Sequence, residues 1–256
     1  MDLNSYPPDK QLSLFVKSIL VFDEKENPGN TVLPFFADGY PGLIFQQAKH
    51  GLLVKPHNKK MPITFLYGQT IKPIELHLKG NYKLVAFQLY PFVLKTFFNI
   101  EAKDINDNCY DLQLLPEWNT IEAQLIKEKN AELQIKLISD FLLHIFIQKK
   151  EQLDYTIRKA IQLIIDGAVQ INIKKLCSDL HITVRTFERR FAKEVGITAS
   201  QFIQITRFQQ SLEQLQLKDF TRLTDIVYNN GFSDQSHFIR VFKAFTGKTP
   251  KSFIAK

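Results

Sequence analysis

The sequence predicts an α+β protein with its strands first. A β-rich barrel or sandwich with added helices is expected over residues 1–150, and an all-helical part over residues 151–256. Three observations predict it. Ten of the eleven prolines lie between Pro7 and Pro116 and the last is Pro250, so residues 117–249 are free to be helical and the earlier part is not. Before residue 117 the apolar runs are short, rich in β-branched and aromatic residues, and bounded by Gly, Pro or Asn. After it, apolar residues recur at spacings of three and four.

Composition narrows the class. With 256 residues, 45% of them hydrophobic, the chain can build two cored domains. Cys109 and Cys177 lie far apart and form no CxxC pair, which argues for a reducing compartment and against a disulfide framework or a structural zinc. The start of the chain has no basic-then-apolar leader pattern, and the longest apolar run, 141–147, is broken by His144 and too short for a bilayer. A cytoplasmic protein with no membrane partner is expected. Charge is unevenly placed. Residues 1–150 carry 17 Lys, no Arg and 16 acidic residues; residues 151–256 carry 7 Arg and 9 Lys against 10 acidic residues. Arginine forks to phosphate and guanine, so this bias points to nucleic acid at the C-terminal end, although chance and solubility would also permit it.

In the first part, strands are expected at 12–22, 31–36, 42–46, 63–69, 73–79 and 82–90, and helices at 91–98, 118–129 and 130–150. Strict alternation in Ile74–Leu78 puts Glu75 and His77 on the face opposite the apolar residues. With His50 and His57 upstream they could form a His/Glu metal set, or simply a solvated strand face; no HxH pair accompanies them, and no metal or cofactor is expected. A small barrel can hold one small molecule, and Phe35, Phe36, Tyr40, Phe45, Phe65, Tyr67, Phe87 and Tyr90 would line it, or else fill the core. Leu133, Leu137, Ile138, Phe141, Leu142, Ile145 and Phe146 give the helix after residue 130 a wide apolar face, part of which could bury against a second subunit.

In the second part, Asp154 is placed to cap a helix over 155–165 that ends at Asp166-Gly167. Asn172 caps 173–180, with Leu176 and Cys177 inward. His181 takes the turn, and Thr183 caps 184–195. On that helix Phe187 and Phe191 face inward, Arg185, Glu188, Arg189 and Lys193 share the other side, and Arg190 lies nearer the edge. An Arg185–Glu188–Arg189 surface ladder is the plain alternative use of these charges. A helix over 200–216 buries Phe202, Ile205, Phe208, Leu212 and Leu215. Thr221 and Asp225 suit the next helix start, Asn229-Asn230-Gly231 stops it, Phe232 turns inward, and Ser233 can cap the last long helix. There Phe238, Val241, Phe242 and Phe245 form the apolar stripe, opposite Gln235, Ser236, Ile239, Arg240 and Lys243. Gln and Arg can bond base edges, and Arg or Lys can pair with phosphate, though an ordinary bundle would show a similar solvated face.

The run GFSDQSHFIRVFKAFTGKTPKSF, from Gly231 to Phe253, resembles the C-terminal signature of the AraC/XylS family of bacterial transcription regulators. The resemblance covers about the last hundred residues and holds Gly231, Phe232, Phe238, Arg240, Phe242, Phe245, Gly247, Thr249 and Pro250 in register. It departs at Cys177 and Val227, where the family usually has alanine, and at His181, where glycine is common. The resemblance implies two helix-turn-helix motifs on double-stranded DNA. Arg185, Glu188, Arg189, Gln235 and Ser236 would read bases, and Arg190, Lys193, Ile239, Arg240 and Lys243 would complete the interface. Thr206-Arg207 fits the place of a basic residue on the helix between the motifs. It further implies a jelly-roll or cupin-like N-terminal sensing domain with a small-molecule effector, a homodimer and RNA polymerase as a partner. The turn Asp38–Leu43 before a strand resembles part of such domains. The alternatives are a cupin-type metalloenzyme and a ligand-independent DNA-binding protein. No GxSxG, HExxH, P-loop or GxGxxG motif is present, which weighs against the common chemistries.

Overall fold

A computed structural model of the protein describes residues 2–26 and 29–254. Among the described residues, ten strands form two sheets: β1 (Asp2–Tyr6), β2 (Val16–Glu24), β3 (Asn30–Phe35), β4 (Gly42–Ala48), β5 (Leu52–Lys55), β6 (Lys59–Lys60), β7 (Thr64–Tyr67), β8 (Ile74–Lys79), β9 (Tyr82–Leu89) and β10 (Cys109–Asp111). One sheet runs β1-β2-β9-β4-β7-β10 and the other β3-β8-β5-β6. The sheets lie face to face as an open, jelly-roll-like sandwich, and among the described residues no closed barrel forms.

Period-two alternation sorts β4 and β9 into two cores. Ile44, Leu84 and Ala86 point between the sheets with Phe65 and Leu76. Leu43, Phe45, Val85 and Phe87 point the other way, under the helices. A strand buried on both faces reads as a continuous apolar run, which is why 42–46 and 82–90 are legible. The edge strands β1, β6 and β10 are short and mostly polar, and β5 has only four residues, so residues 2–6, 52–55, 59–60 and 109–111 escape the pattern. Residues 12–14 form a 3-10 turn rather than strand, because Asp9 Oδ1 accepts the N–H groups of Gln11 and Leu12 at 2.8 Å each.

Helices α1 (Val93–Phe98), α2 (Trp118–Lys127) and α3 (Ala131–Lys149) cover the six-stranded sheet. The fully buried Trp118 donates its Nε1–H to Thr64 Oγ1 at 2.7 Å and packs edge-on to Phe141. Most of the wide apolar face of α3 is spent here: Ile138, Phe141, Leu142 and Ile145 are buried within the chain. Leu133 and Ile147 stay 48% and 65% exposed.

The helical part contains α4 (Tyr155–Gly167), α5 (Ile173–Asp179), α6 (Val184–Val195), α7 (Ala199–Leu217), α8 (Leu223–Asn229), α9 (Gln235–Thr246) and α10 (Pro250–Ile254). Asp154, Asn172 and Thr183 cap as their sequence positions suggest. Two expected caps move. Asp234, not Ser233, accepts the His237 N–H at 2.8 Å, and the Ser233 hydroxyl donates to Asp234 instead. Arg222, not Thr221, stands at the start of α8, its N–H held by Asp225 Oδ2 at 2.7 Å. Gly167 closes α4 as an ordinary helical residue, without a positive φ. The spine is α7. Its Phe202 meets Phe191 of α6 at 5.7 Å, and its Phe208 meets Phe242 and Phe245 of α9 at 5.5 and 5.1 Å.

The spine also docks on the sandwich. Gly39, at φ +76°, lets the 37–41 loop approach until a Cβ there would stand 3.0 Å from the Phe202 ring. Gln209 Nε2 donates to Ala37 O. Asp38 lies in the same loop. Its carboxylate accepts from Tyr40 N at 3.1 Å and Gln88 Nε2 at 2.8 Å, and Lys17 sits over the Tyr40 ring at 3.8 Å. Burial outweighs these contacts and the Lys17 charge, and pushes the Asp38 pKa from its ordinary 3.8 up to about 6. A raised carboxyl pKa contributes stability that is complete below the ordinary value and lost as pH rises through the shifted one. Compared with Asp38→Asn, the wild type is therefore expected to gain stability as pH falls from about 6 toward 3.8. Denaturant melts of both proteins across that range check it, and parallel curves would refute it.

Candidate nucleic-acid interface

The first helix-turn-helix is α5, a turn and α6. His181 makes the turn at φ +53°, a left-handed conformation that histidine tolerates. Leu176 and Cys177 pack inward against Phe187, Phe191 and Val195, all buried. Burial and the nearby Glu188 push the Cys177 thiol up, as suits a packing residue rather than a nucleophile. What remains of α6 faces out. Arg185, Arg189 and Lys193 are exposed and Glu188 is half-buried. No ladder links them: none of the four makes a side-chain hydrogen bond or ion pair among the described residues.

Arg190 departs from its expected role. It turns to the other side, where Nε and Nη2 fork onto Asp154 at 2.8 and 2.5 Å. The pair raises the Arg190 pKa. A guanidinium spent on the cap of α4 is a brace between helices, not a free phosphate contact. The signal was in the chain, since Asp154 is a cap whose second oxygen has to go somewhere, but no spacing rule joins residues 154 and 190.

The second motif is α8, the turn at Gly231 and α9. Gly231 takes φ +70°, and a Cβ there would stand 2.8 Å from Val169 O. Phe232, Phe238, Val241, Phe242 and Phe245 are buried behind the helix. Gln235, Ser236, Ile239, Arg240 and Lys243 are all exposed in front, with no side-chain hydrogen bond or ion pair among the described residues. Arg207 of α7, a fit to the basic position of the resemblance, points inward: Nε and Nη2 donate to Ala168 O and Val169 O at 2.8 and 3.2 Å. Burial lowers its pKa.

A second feature lies in the sandwich. A cavity of about 520 Å³ opens between the sheets. Phe35, Phe65 and Tyr67 line it, with Ile44, Val54, Met61, Ile74 and Leu76. The other expected lining residues do not. Phe45 and Phe87 point to the opposite side of their sheet and are fully buried there. Tyr40 meets Tyr90 edge-on at 6.1 Å, and Phe36 meets Phe253 of α10 at 5.8 Å. Alternation along a strand tells which residues share a face, not which of two faces is hollow. His77 Nε2 lies 2.9 Å from Glu75 Oε2 as a lone pair, and no cluster of three or more metal-binding side chains occurs among the described residues.

Two helix-turn-helix motifs, held on one spine with their polar faces free, define a DNA-binding domain of the double-motif kind. Residues 176–256 match the family model of a helix-turn-helix domain, and residues 4–111 match that of a domain of unknown function. Residues 176–256 thus carry a helix-turn-helix domain, and the run Gly231–Phe253 within it is the stretch that resembles the AraC/XylS signature. A helix-turn-helix-type transcriptional regulator of Staphylococcus aureus is 38% identical over 65 residues, which make up 25% of this chain and 9% of that protein. The regulator YfiF of Bacillus subtilis is 28% identical over 147 residues, 56% of this chain and 46% of its own. The chain thus spans less than half the length of either relative. Among solved structures, ToxT of Vibrio cholerae aligns over 100% of this chain and 98% of its own at 12% identity, with a TM-score of 0.49. The DNA-binding domain of AdpA, solved with a target DNA, aligns over 40% of this chain at 20% identity, with a TM-score of 0.36 and 92% of its own length covered. Among the described residues, no helix is long and apolar enough to cross a membrane.

Proposed function

We propose that the protein is a sequence-specific, DNA-binding transcription regulator, not an enzyme, controlled by a small molecule held in its β-rich part. Residues 1–150 would sense and pair; residues 151–256 would bind the duplex. The observation that carries this reading is the pair of unpaired polar faces on α6 and α9, two helices seated on α7 through Phe202 and Phe208. The 19 residues of α7 span about 28 Å at 1.5 Å each, near the 34 Å that separates successive turns of the major groove. Arg185, Glu188, Arg189, Gln235 and Ser236 would read bases; Lys193, Arg240 and Lys243 would meet phosphates, and Ile239 would give apolar contact. Phosphate pairing makes the affinity fall steeply with salt. A cytoplasmic homodimer, using what α3 leaves exposed, and contact with RNA polymerase complete the reading.

Selection of bound duplexes from a random pool tests it. Two tandem half-sites about one helical turn apart are expected. On the selected site Arg189→Ala is expected to cost about 1–3 kcal/mol, with little loss on random DNA. Equal losses on both would make Arg189 a phosphate contact, and a pool without a consensus would refute sequence-specific binding.

A further inference from the structure

One wall of the sandwich cavity has a second job on its outer side. The wall is two-ply, made of residues 67–72 laid against 105–109. Gly68 N donates to Asn108 O at 3.1 Å and Asp107 N to Gln69 O at 3.0 Å. Asp107 Oδ1 accepts from Ile71 N and Lys72 N at 2.7 and 3.0 Å. The plies touch so closely that a Cβ on Gly68 would stand 1.9 Å from Ile105 O. Tyr67, Gly68, Thr70, Lys72, Asn106 and Asp107 of this wall face the cavity.

From the outside, the same wall grips the C-terminal end of α6. Gln69, fully buried, donates Nε2–H to Val195 O at 2.5 Å, and Asn106 donates Nδ2–H to Gly196 O at 3.0 Å. These carbonyls belong to a helix end, where no intrahelical partner exists. Gly196, at φ +83°, fits only because it has no side chain: a Cβ would stand 2.7 Å from Ala102 C and Lys103 N. The two plies therefore connect the cavity to the first recognition helix, and Asn106 touches both. Gln69 Oε1 and Asn106 Oδ1 are buried without a hydrogen-bond partner among the described residues, so the grip is weak for its burial.

The cavity also has a chemical preference. Its interior is apolar, with Phe35, Ile44, Phe65 and Leu76, while Lys59, Lys72 and His57 stand among its lining. The acidic residue among them, Asp107, has one carboxylate oxygen already held by backbone N–H groups. An apolar body with one carboxylate or sulfonate matches that arrangement.

We propose that an amphipathic anion filling this cavity competes with the end of α6 for the Asn106 amide, and so loosens the hold of the sandwich on the first recognition helix. This rests on the regulator reading and gives its effector a chemical class and a route. The route is reciprocal: a change that weakens the grip and leaves the ligand's own contacts in place tightens ligand binding.

The full chain and the probe 8-anilinonaphthalene-1-sulfonate test it, with hydrogen exchange read on the 192–200 peptide. Saturable binding at one site is expected, with exchange at residues 196–199 rising about threefold or more. Gln69→Ala breaks the grip without lining the cavity, and should bind the probe about threefold tighter. Asn106→Ala should bind it more weakly and lose the probe-dependent exchange. The variant Lys72→Met should lose about tenfold in probe affinity while its exchange without probe stays as in wild type. Binding with unchanged or slowed exchange at 196–199, no binding at all, or an unaltered affinity in Gln69→Ala would overturn the proposal. The duplex selection separates the two readings. A failed selection with the probe effects intact sinks the regulator and leaves the grip; the reverse sinks the grip alone.

Discussion

Phe208→Ala is expected to destabilise the helical part by about 3–5 kcal/mol, the usual range for emptying a large aromatic site in a packed core. Phe208 is fully buried on α7, and its ring lies 5.5 Å from Phe242 and 5.1 Å from Phe245. Phe238 meets Phe242 edge-on behind it, and Phe253 of α10 closes the group from the far side. The lost ring leaves a hole between two helices that are each pinned at other points, so collapse around it is limited. The second motif loses its seat on the spine, while α6 keeps its own contact through Phe191 and Phe202. Footprints on a tandem site should shrink to the half-site of the first motif before the protein unfolds. Denaturant melts supply the energy, and a loss below about 1 kcal/mol would mean that the cluster repacks.

Gly68→Ala is expected to cost at least about 3 kcal/mol, although it adds one methyl group. The added Cβ would stand 1.9 Å from Ile105 O, 2.4 Å from its carbonyl carbon and 2.9 Å from Asn106 N. All three are backbone atoms, so no flexible side chain can step aside. Gly167→Ala is the matched control. Nothing lies within 4 Å of its built Cβ and its backbone is helical, so it should be neutral or stabilise by about 0.5–1 kcal/mol. Thermal melts of the two variants should diverge in sign or nearly so, and similar melting temperatures would remove the steric argument.

The helical part was the more legible half, for a physical reason. Its contacts are local: a cap and its N3 amide, or Phe187 and Phe191 one turn apart, are written at fixed offsets. Thr183, Asn172 and the phenylalanine stripe of α9 follow such offsets, and so do the outward Arg185, Arg189, Gln235 and Ser236. What the offsets could not show was partnership at a distance. Arg190 looked like its neighbours, yet it answers to Asp154; Arg207 fits a basic position of the family, yet it holds the Ala168 and Val169 carbonyls. In the sandwich the limit was sharper. The aromatic strands could be seen, but Phe45 and Phe65 lie on opposite sides of one sheet, and only the pairing register says which side is hollow. Gln69 and Asn106, plain amides in loops, carried no pattern at all.

The two tethers at the ends of α4 have a mechanical meaning. Near one end Asp154 holds Arg190 of α6; just past the other, the Ala168 and Val169 carbonyls hold Arg207 beside the Gly231 turn. The motifs are thus joined by two members, α7 and α4, and a frame with a second strut resists the shear that a single rod allows. Where duplex and protein do not match in pitch, the duplex is the softer body and has to do the bending.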